Sequence, residues 1–279
     1  MEEKGRIYIF PNSLLLAARK GLATDFHSHY AVSIICSLDS VFRIEGSDGE
    51  ELVSHFVALG ANYKHRLIAM ESRLIVIQID PHSSVASGVS HWLRKARAHS
   101  LSIDRIEGIR DKLILLFEDI ESPDHPGSSG QGLDPIDLGF QAFLGILGSL
   151  ELDQRRARIP DERILKVQRW IQSGLEKPIR INDFASRLGL SETRLMHLFK
   201  QETGIPMRRY VLWCRLSRSA YSLKGGKTLT DAAYEGGFSD QAHMSRTFKE
   251  MLGVSPSHFI GPNTGYTTFF MDSEILNEM

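Results

Sequence analysis

Two short stretches near the C-terminus carry side chains suited to one kind of chemistry, the reading of base edges in a DNA groove. The first presents Thr193, Met196, His197 and Lys200, beside Glu192, on one helical face. The second presents Gln241, Ala242, His243, Ser245 and Arg246. Hydroxyl, amide and imidazole groups can donate to and accept from base edges, a thioether can meet a thymine methyl, and Lys and Arg can meet phosphates. On the opposite faces Leu195, Leu198 and Phe199, and then Met244, Thr247 and Phe248, form inward stripes. A plain helical bundle with polar outer faces would show the same pattern once; what argues against it is that the pattern occurs twice.

The elements that must position these residues repeat as well. Asn182-Asp183-Phe184-Ala185, Leu188-Gly189-Leu190-Ser191 and Leu198-Phe199-Lys200, closing at Gly204, return as Thr230-Asp231-Ala232-Ala233, Gly236-Gly237-Phe238-Ser239 and Thr247-Phe248-Lys249, closing at Gly253. Each copy reads as a short helix, a tight turn and a second helix, the form of a helix-turn-helix whose second helix enters the major groove. The small Ala185 and Ala233 let the paired helices approach. Asn182 and Thr230 are expected as equivalent N-caps, and Ser191 and Ser239 as the next pair. Pro206 to Lys224 is expected as one connecting helix, long enough to hold two recognition helices about one DNA turn, ~34 Å, apart. A further helix at 161–174 precedes the repeat, with Gly174 at its end.

Charge follows the same division. The whole chain of 279 residues has a formal net charge of −1. Residues 163–260 hold sixteen Lys and Arg against eight Asp and Glu, a net of +8, whereas 1–162 are net −6 and 261–279 net −3. A basic domain beside a mildly acidic one suits a nucleic-acid binder with a separate sensing module. The only cysteines, Cys36 and Cys214, give neither a disulfide framework nor a cysteine zinc site. With no long apolar run and no signal-peptide form at the N-terminus, the expectation is a cytoplasmic protein without a membrane partner.

On these residues the stretch from about 163 to 260 resembles the DNA-binding domain of the AraC/XylS family of bacterial transcription regulators. The matching segments are Leu198-Phe199-Lys200-Gln201-Glu202-Thr203-Gly204, Tyr210 with Arg215-Leu216, Gly237-Phe238-Ser239-Asp240, and Ser245-Arg246-Thr247-Phe248-Lys249 with Gly253-Val254-Ser255-Pro256. The resemblance implies a transcription factor, commonly an activator, that binds promoter double-stranded DNA and contacts RNA polymerase. It also implies that Thr193, Met196, His197, Lys200, Gln241, Ala242, His243, Ser245 and Arg246 face the DNA. His197 stands where the family often has Arg, and Ile260 where an Arg is common. Arg215 is expected in a structural ion pair within the domain rather than at a base edge.

Residues 6–80 read as β-rich. Apolar stretches at Ala31–Ile35, Val41–Ile44, Phe56–Leu59 and Leu74–Ile79 are separated by turn residues, which suggests a small barrel or double-sheet roll. Residues 104–120 read as a helix that could close the barrel, pack on its core or pair with its twin in a homodimer, and 135–152 as a second helix, the other candidate for dimer pairing. Residues 121–132 read as a loop, and those from Gly261 onward as a loosely held tail. The fold class is therefore α+β, divided as a sensing barrel at 1–85, a helical linker or dimerisation region at 86–160, a DNA-binding domain at 161–262 and a tail at 263–279.

His27-x-His29, followed by His65, resembles the sparse signature of a cupin barrel, whose enzymes hold a metal with such a set. On a strand, residues i and i+2 share a face, so His27 and His29 could share a ligand. The acid expected after the pair is absent between Tyr30 and Leu38, and the resemblance favours a sensing domain with no catalytic metal and no cofactor. Such a domain takes a small-molecule effector in an apolar cavity; His29, Ile34, Phe42 and His65 are the candidate lining. The alternative to a regulator is a metal-dependent cupin enzyme with an accessory DNA-binding domain.

Overall fold

A computed structural model describes residues 3–10, 13–81, 97–118, 134–150, 161–175, 178–223, 226–260 and 264–270. The expected loop at 121–132 and the last residues of the tail lie outside them.

The N-terminal half is built from two sheets. Strands β1 (Gly5–Phe10), β2 (Ser13–Ala18), β4 (Val32–Ser37), β7 (Phe56–Leu59), β9 (Leu74–Ile79), β10 (Ala98–Ser100) and β11 (Tyr266–Phe270) form a seven-stranded sheet in the order β10-β7-β4-β9-β2-β1-β11. Strands β3 (Gly21–Ala23), β5 (Phe42–Gly46), β6 (Glu51–Ser54) and β8 (His65–Met70) form a second sheet in the order β3-β8-β5-β6. Ile7, Leu16 and Ile35 from the first meet Phe42, Ile44 and Leu67 from the second in a shared core. The other face of the large sheet, with Phe10, Ile34, Phe56 and Ile77, is covered by helices. Burial on both faces explains why β4 and β9 read as near-continuous apolar runs rather than alternating ones.

The covering layer comes from the segments considered for dimerisation. Helix α2 (Pro135–Ser149) buries Leu138, Phe143 and Ile146 on the sheet, so its apolar face is spent on its own core. Gly139 makes the contact close, since a Cβ there would lie 2.2 Å from the Tyr8 ring. The expected single helix over 104–120 is instead a 3-10 segment, Ile103–Ile109, followed by α1 (Arg110–Leu115). Gly108 weakens the helix at that point, and Ile109 leaves helical geometry at φ −120° and ψ 1°. Ile106, Leu113, Leu116 and Phe117 still reach the core.

The C-terminal half is helical: α3 (Glu162–Ser173), α4 (Ile181–Arg187), α5 (Glu192–Thr203), α6 (Met207–Ser222), α7 (Leu229–Gly236) and α8 (Gln241–Leu252), then a 3-10 turn at Pro256–His258. The connector α6 begins after Pro206, as expected, and ends at Ser222.

The chain does not end in that helical domain. Tyr266–Phe270 forms β11, parallel to β1 in the register Arg6 to Thr267 and Tyr8 to Phe269. The expectation of a loose tail from Gly261 therefore fails for these residues. Phe269 stacks on Tyr8 with ring centroids 5.1 Å apart, and that apolar contact fixes the strand.

Candidate nucleic-acid interface and the domain junction

Each helix-turn-helix is closed by the same backbone bond. Leu190 N–H donates to the Ala185 carbonyl at 3.0 Å, and Phe238 N–H donates to the Ala233 carbonyl at 2.9 Å. Both alanines are buried, which lets the paired helices meet. Gly189 and Gly237 take positive φ at the two turns, Gly237 capping α7. The caps differ from expectation in three places. Arg180 precedes α4 without a side-chain bond, so Asn182 lies inside the helix. Thr228, not Thr230, caps α7, in a reciprocal capping box with Asp231. Ser191 caps α5 as expected, but α8 is capped by Asp240, one residue beyond Ser239. Ser191 lies eight residues before Phe199 and Ser239 nine before Phe248, so the second copy carries one extra residue, and Asp, which accepts at least as well as Ser, takes the cap one position on.

On α5, Thr193, Met196, His197 and Lys200 are all exposed, while Leu195, Leu198 and Phe199 are buried. On α8, Gln241, Ala242 and Arg246 are exposed and His243 and Ser245 are half-buried, opposite the buried Met244 and Thr247. Phe248 is only half-buried and packs toward both its own domain and the sheets. Two side chains on α8 are pre-set by neighbours. Thr230 Oγ1 donates to Gln241 Oε1 at 2.8 Å, which leaves the Gln241 amide NH2 as its outward donor. His243 has Nδ1 3.3 Å from Ser239 Oγ and its ring edge-on to Phe238, which leaves Nε2 as its outward nitrogen. Arg215 does not show the expected ion pair; its Nε is buried without a hydrogen-bond partner among the described residues.

The recognition helix α8 also meets the sheet domain. Asp25 N–H donates to the Gly253 carbonyl at 2.9 Å, and Lys249 Nζ lies 3.1 Å from the Asp25 carboxylate. On α6, Arg209 donates to the Ser28 carbonyl at 2.6 Å. Tyr30, buried in the core of the first helix-turn-helix, accepts from Gln168 Nε2 at 3.2 Å.

Between the two halves lies a cavity of about 1460 Å³. Ile7, Ile9, Leu14, Leu16 and Val76 line it from the large sheet, Tyr221, Phe248 and Leu252 from the helices, and Phe270 from β11. Its polar lining includes Gln78, Asp80, Gln172, Arg218, Lys227, Thr230 and Gln241. None of His29, Ile34, Phe42 and His65 is among its lining residues. Ile34 faces the helical layer and Phe42 the inter-sheet core, so the two point into different clusters. The apolar residues of β2, β9 and β11 carried a signal for this cavity only once the strands could be aligned.

The structure does bring His27, His29 and His65 together. All three are buried, with one ring nitrogen from each within 4.8 Å of the others. Each Nδ1 bonds a backbone carbonyl: His27 that of Asp25 at 2.9 Å, His29 that of Ala31 at 2.9 Å and His65 that of Tyr63 at 2.8 Å. Burial, then neighbouring His27, pushes His65 down to about 3; burial first also lowers His27 and His29, so the rings stay neutral.

Residues 184–261 match the helix-turn-helix domain family. The chain is 35% identical over 95 residues to the Msm operon regulatory protein of Streptococcus mutans, covering 34% of each. It is 31% identical over 91 residues to the multiple antibiotic resistance protein MarA of Escherichia coli, covering 32% of this chain and 72% of MarA. The match thus spans about a third of the first of these relatives. Over 88% of its length the chain superposes on ToxT of Vibrio cholerae, covering 95% of that chain at a TM-score of 0.57 and 16% identity. A ToxT structure with a bound unsaturated fatty acid gives the same score and identity, with 93% of that chain covered. These likenesses support the two-part fold and lend nothing to the enzyme alternative.

Proposed function

The chain belongs to the AraC/XylS family of transcriptional regulators, and from that premise we propose that it is a sequence-specific, effector-responsive transcription factor that reads two successive major-groove segments of promoter DNA. The observation that carries this reading is the pair of matching helix-turn-helix units. They present Thr193, Met196, His197 and Lys200 on α5, and Gln241, Ala242, His243, Ser245 and Arg246 on α8. With Met196 exposed and His197 in place of a guanidinium, α5 offers fewer directed hydrogen bonds than α8, which carries Gln241 and Arg246.

The effector site of this reading is the cavity at the domain junction. Its lining favours an apolar small molecule with one polar end, and its walls come from both halves. A ligand there touches the sheets and the recognition helix α8 at once, so it binds the docked and released arrangements with different affinity, as linkage demands. The fatty acid held by ToxT fits the same chemical class. Family membership is what supports contact with RNA polymerase, activation and a cytoplasmic setting in this reading. A homodimer would need a surface other than the covered faces of α1 and α2.

The test is selection of bound fragments from sheared host DNA by the full chain, at about 150 mM salt to suppress non-specific binding. A recurring motif with two half-sites about one turn apart supports tandem reading. Retention of fragments without any shared motif, in the presence and absence of apolar effectors, overturns it.

A further inference from the structure

We propose that His27, His29 and His65 form a zinc-type divalent metal site that fixes the segment of the sheet domain on which the DNA-binding domain docks. Three buried imidazoles converge with one ring nitrogen each inside 4.8 Å. Every Nδ1 is committed to a backbone carbonyl, which sets the tautomer and leaves each Nε2 lone pair for an ion. Such outer bonds orient and strengthen histidine ligands in metal sites. Small adjustments of buried rings bring three nitrogens to about 2.1 Å from a zinc ion, with the fourth position left to water or another ligand. Ser33 Oγ lies 3.2 Å from His29 Nε2, so the ion competes with that hydroxyl's proton for one lone pair. With all ligands nitrogen, the site discriminates against magnesium and calcium, which take oxygen.

The position of the cluster gives it a consequence. His27 follows Asp25, whose N–H bonds Gly253 at the end of α8, and a Cβ on Gly253 would come within 2.6 Å of His27 Nδ1. Ser28, between two of the ligands, accepts from Arg209 on α6. His29 packs beside Trp213 of the same helix, with ring centroids 6.4 Å apart. An ion that locks 27–29 to His65 therefore locks the surface on which both α6 and α8 dock. The inference stands apart from the DNA-binding reading, because ion uptake needs no DNA.

The experiment uses the full chain, stripped with chelator and titrated calorimetrically with zinc, and spectroscopically with cobalt as a coloured substitute. Expected are one ion per chain, cobalt d–d bands of a nitrogen-ligated ion, no uptake of magnesium, and slowed amide exchange over 24–29 and 250–254. His27→Gln and His65→Gln should each weaken binding by at least about 100-fold, and His55→Gln should not. Because buried variants can misfold, the wild-type cobalt spectrum decides independently of them. A wild-type chain that takes up no ion overturns the proposal, and so does unchanged uptake by folded His27→Gln and His65→Gln chains.

Discussion

The amide of Asp25 donates to the carbonyl of Gly253 across 2.9 Å, so the end of the second recognition helix is held by the sheet domain. Gly253 ends α8 at φ +74°, and a Cβ there would lie 2.6 Å from Asp25 O. Gly253→Ala is therefore strained twice, by its backbone and by the approach. The expected cost is about 1–3 kcal/mol, with the junction opening before the domains unfold. Thermal unfolding measures the first effect and amide exchange at Asp25 the second. Unchanged Asp25 exchange in the variant would mean that this bond does not hold the junction.

Tyr30 couples the halves from within. It leaves the sheet domain, packs edge-on against Tyr210 at 5.1 Å and accepts from Gln168. Tyr30→Phe keeps the packing and strands a buried amide donor, at an expected cost of about 1–3 kcal/mol. Gln168→Leu alone should cost a similar amount. The double variant should cost less than the two added, because the Gln168–Tyr30 bond can be lost only once. Additive losses in chemical denaturation would show that the two residues do not act as a pair.

The strand and helix segments were legible because their apolar periods differ, and the helix-turn-helix pair because it repeats at nearly constant spacing. The caps were less so. Asp240 and Ser239 are equally good acceptors, and only the backbone decides which one faces His243 N–H. The 3-10 segment at Ile103–Ile109 kept its buried Ile106 while losing the expected helix, since periodicity reports the face and not the hydrogen-bond pattern. The cavity was illegible for a different reason. Its walls come from β1, β2, β9, α6, α8 and β11, and no local pattern marks a surface shared by strands so far apart in sequence. His27 and His29 share a face by spacing alone, but His65 joins them through a single antiparallel bridge from His27.

Strand β11 has the opposite history, a segment read as tail that completes the large sheet. A chain ending at residue 263 loses the parallel pairing to β1 and the Phe269 contact with Tyr8. The Phe269–Tyr8 ring pair alone is worth about 0.5–1.5 kcal/mol, and the freed edge of β1 becomes a template for intermolecular pairing. The expected outcome is a lower melting temperature with concentration-dependent association in light scattering. A truncated chain as stable and monodisperse as the full one would show that β11 adds nothing to the sheet.

On the proposed reading, base reading and phosphate contact fall to different residues, Arg246 and Lys200. Arg246 stands exposed on α8 among groups whose donors are pre-set, whereas Lys200 stands near the C-terminal end of α5. A base-reading arginine contributes discrimination, so Arg246→Ala should cost about 1–3 kcal/mol on the preferred site and little on random DNA. A phosphate contact carries no sequence information, so Lys200→Ala should weaken both alike and reduce the slope of log K against log salt by about 1. Thr230→Val adds a third arm. It frees the Gln241 amide to rotate, and since Thr230 lies outside the base-reading face, its effect should appear as relaxed preference at one base pair with little loss of overall affinity. Binding isotherms on specific and scrambled duplexes at several salt concentrations measure all three. Equal specific affinity for Arg246→Ala and the unaltered chain would remove that residue from the base-reading set.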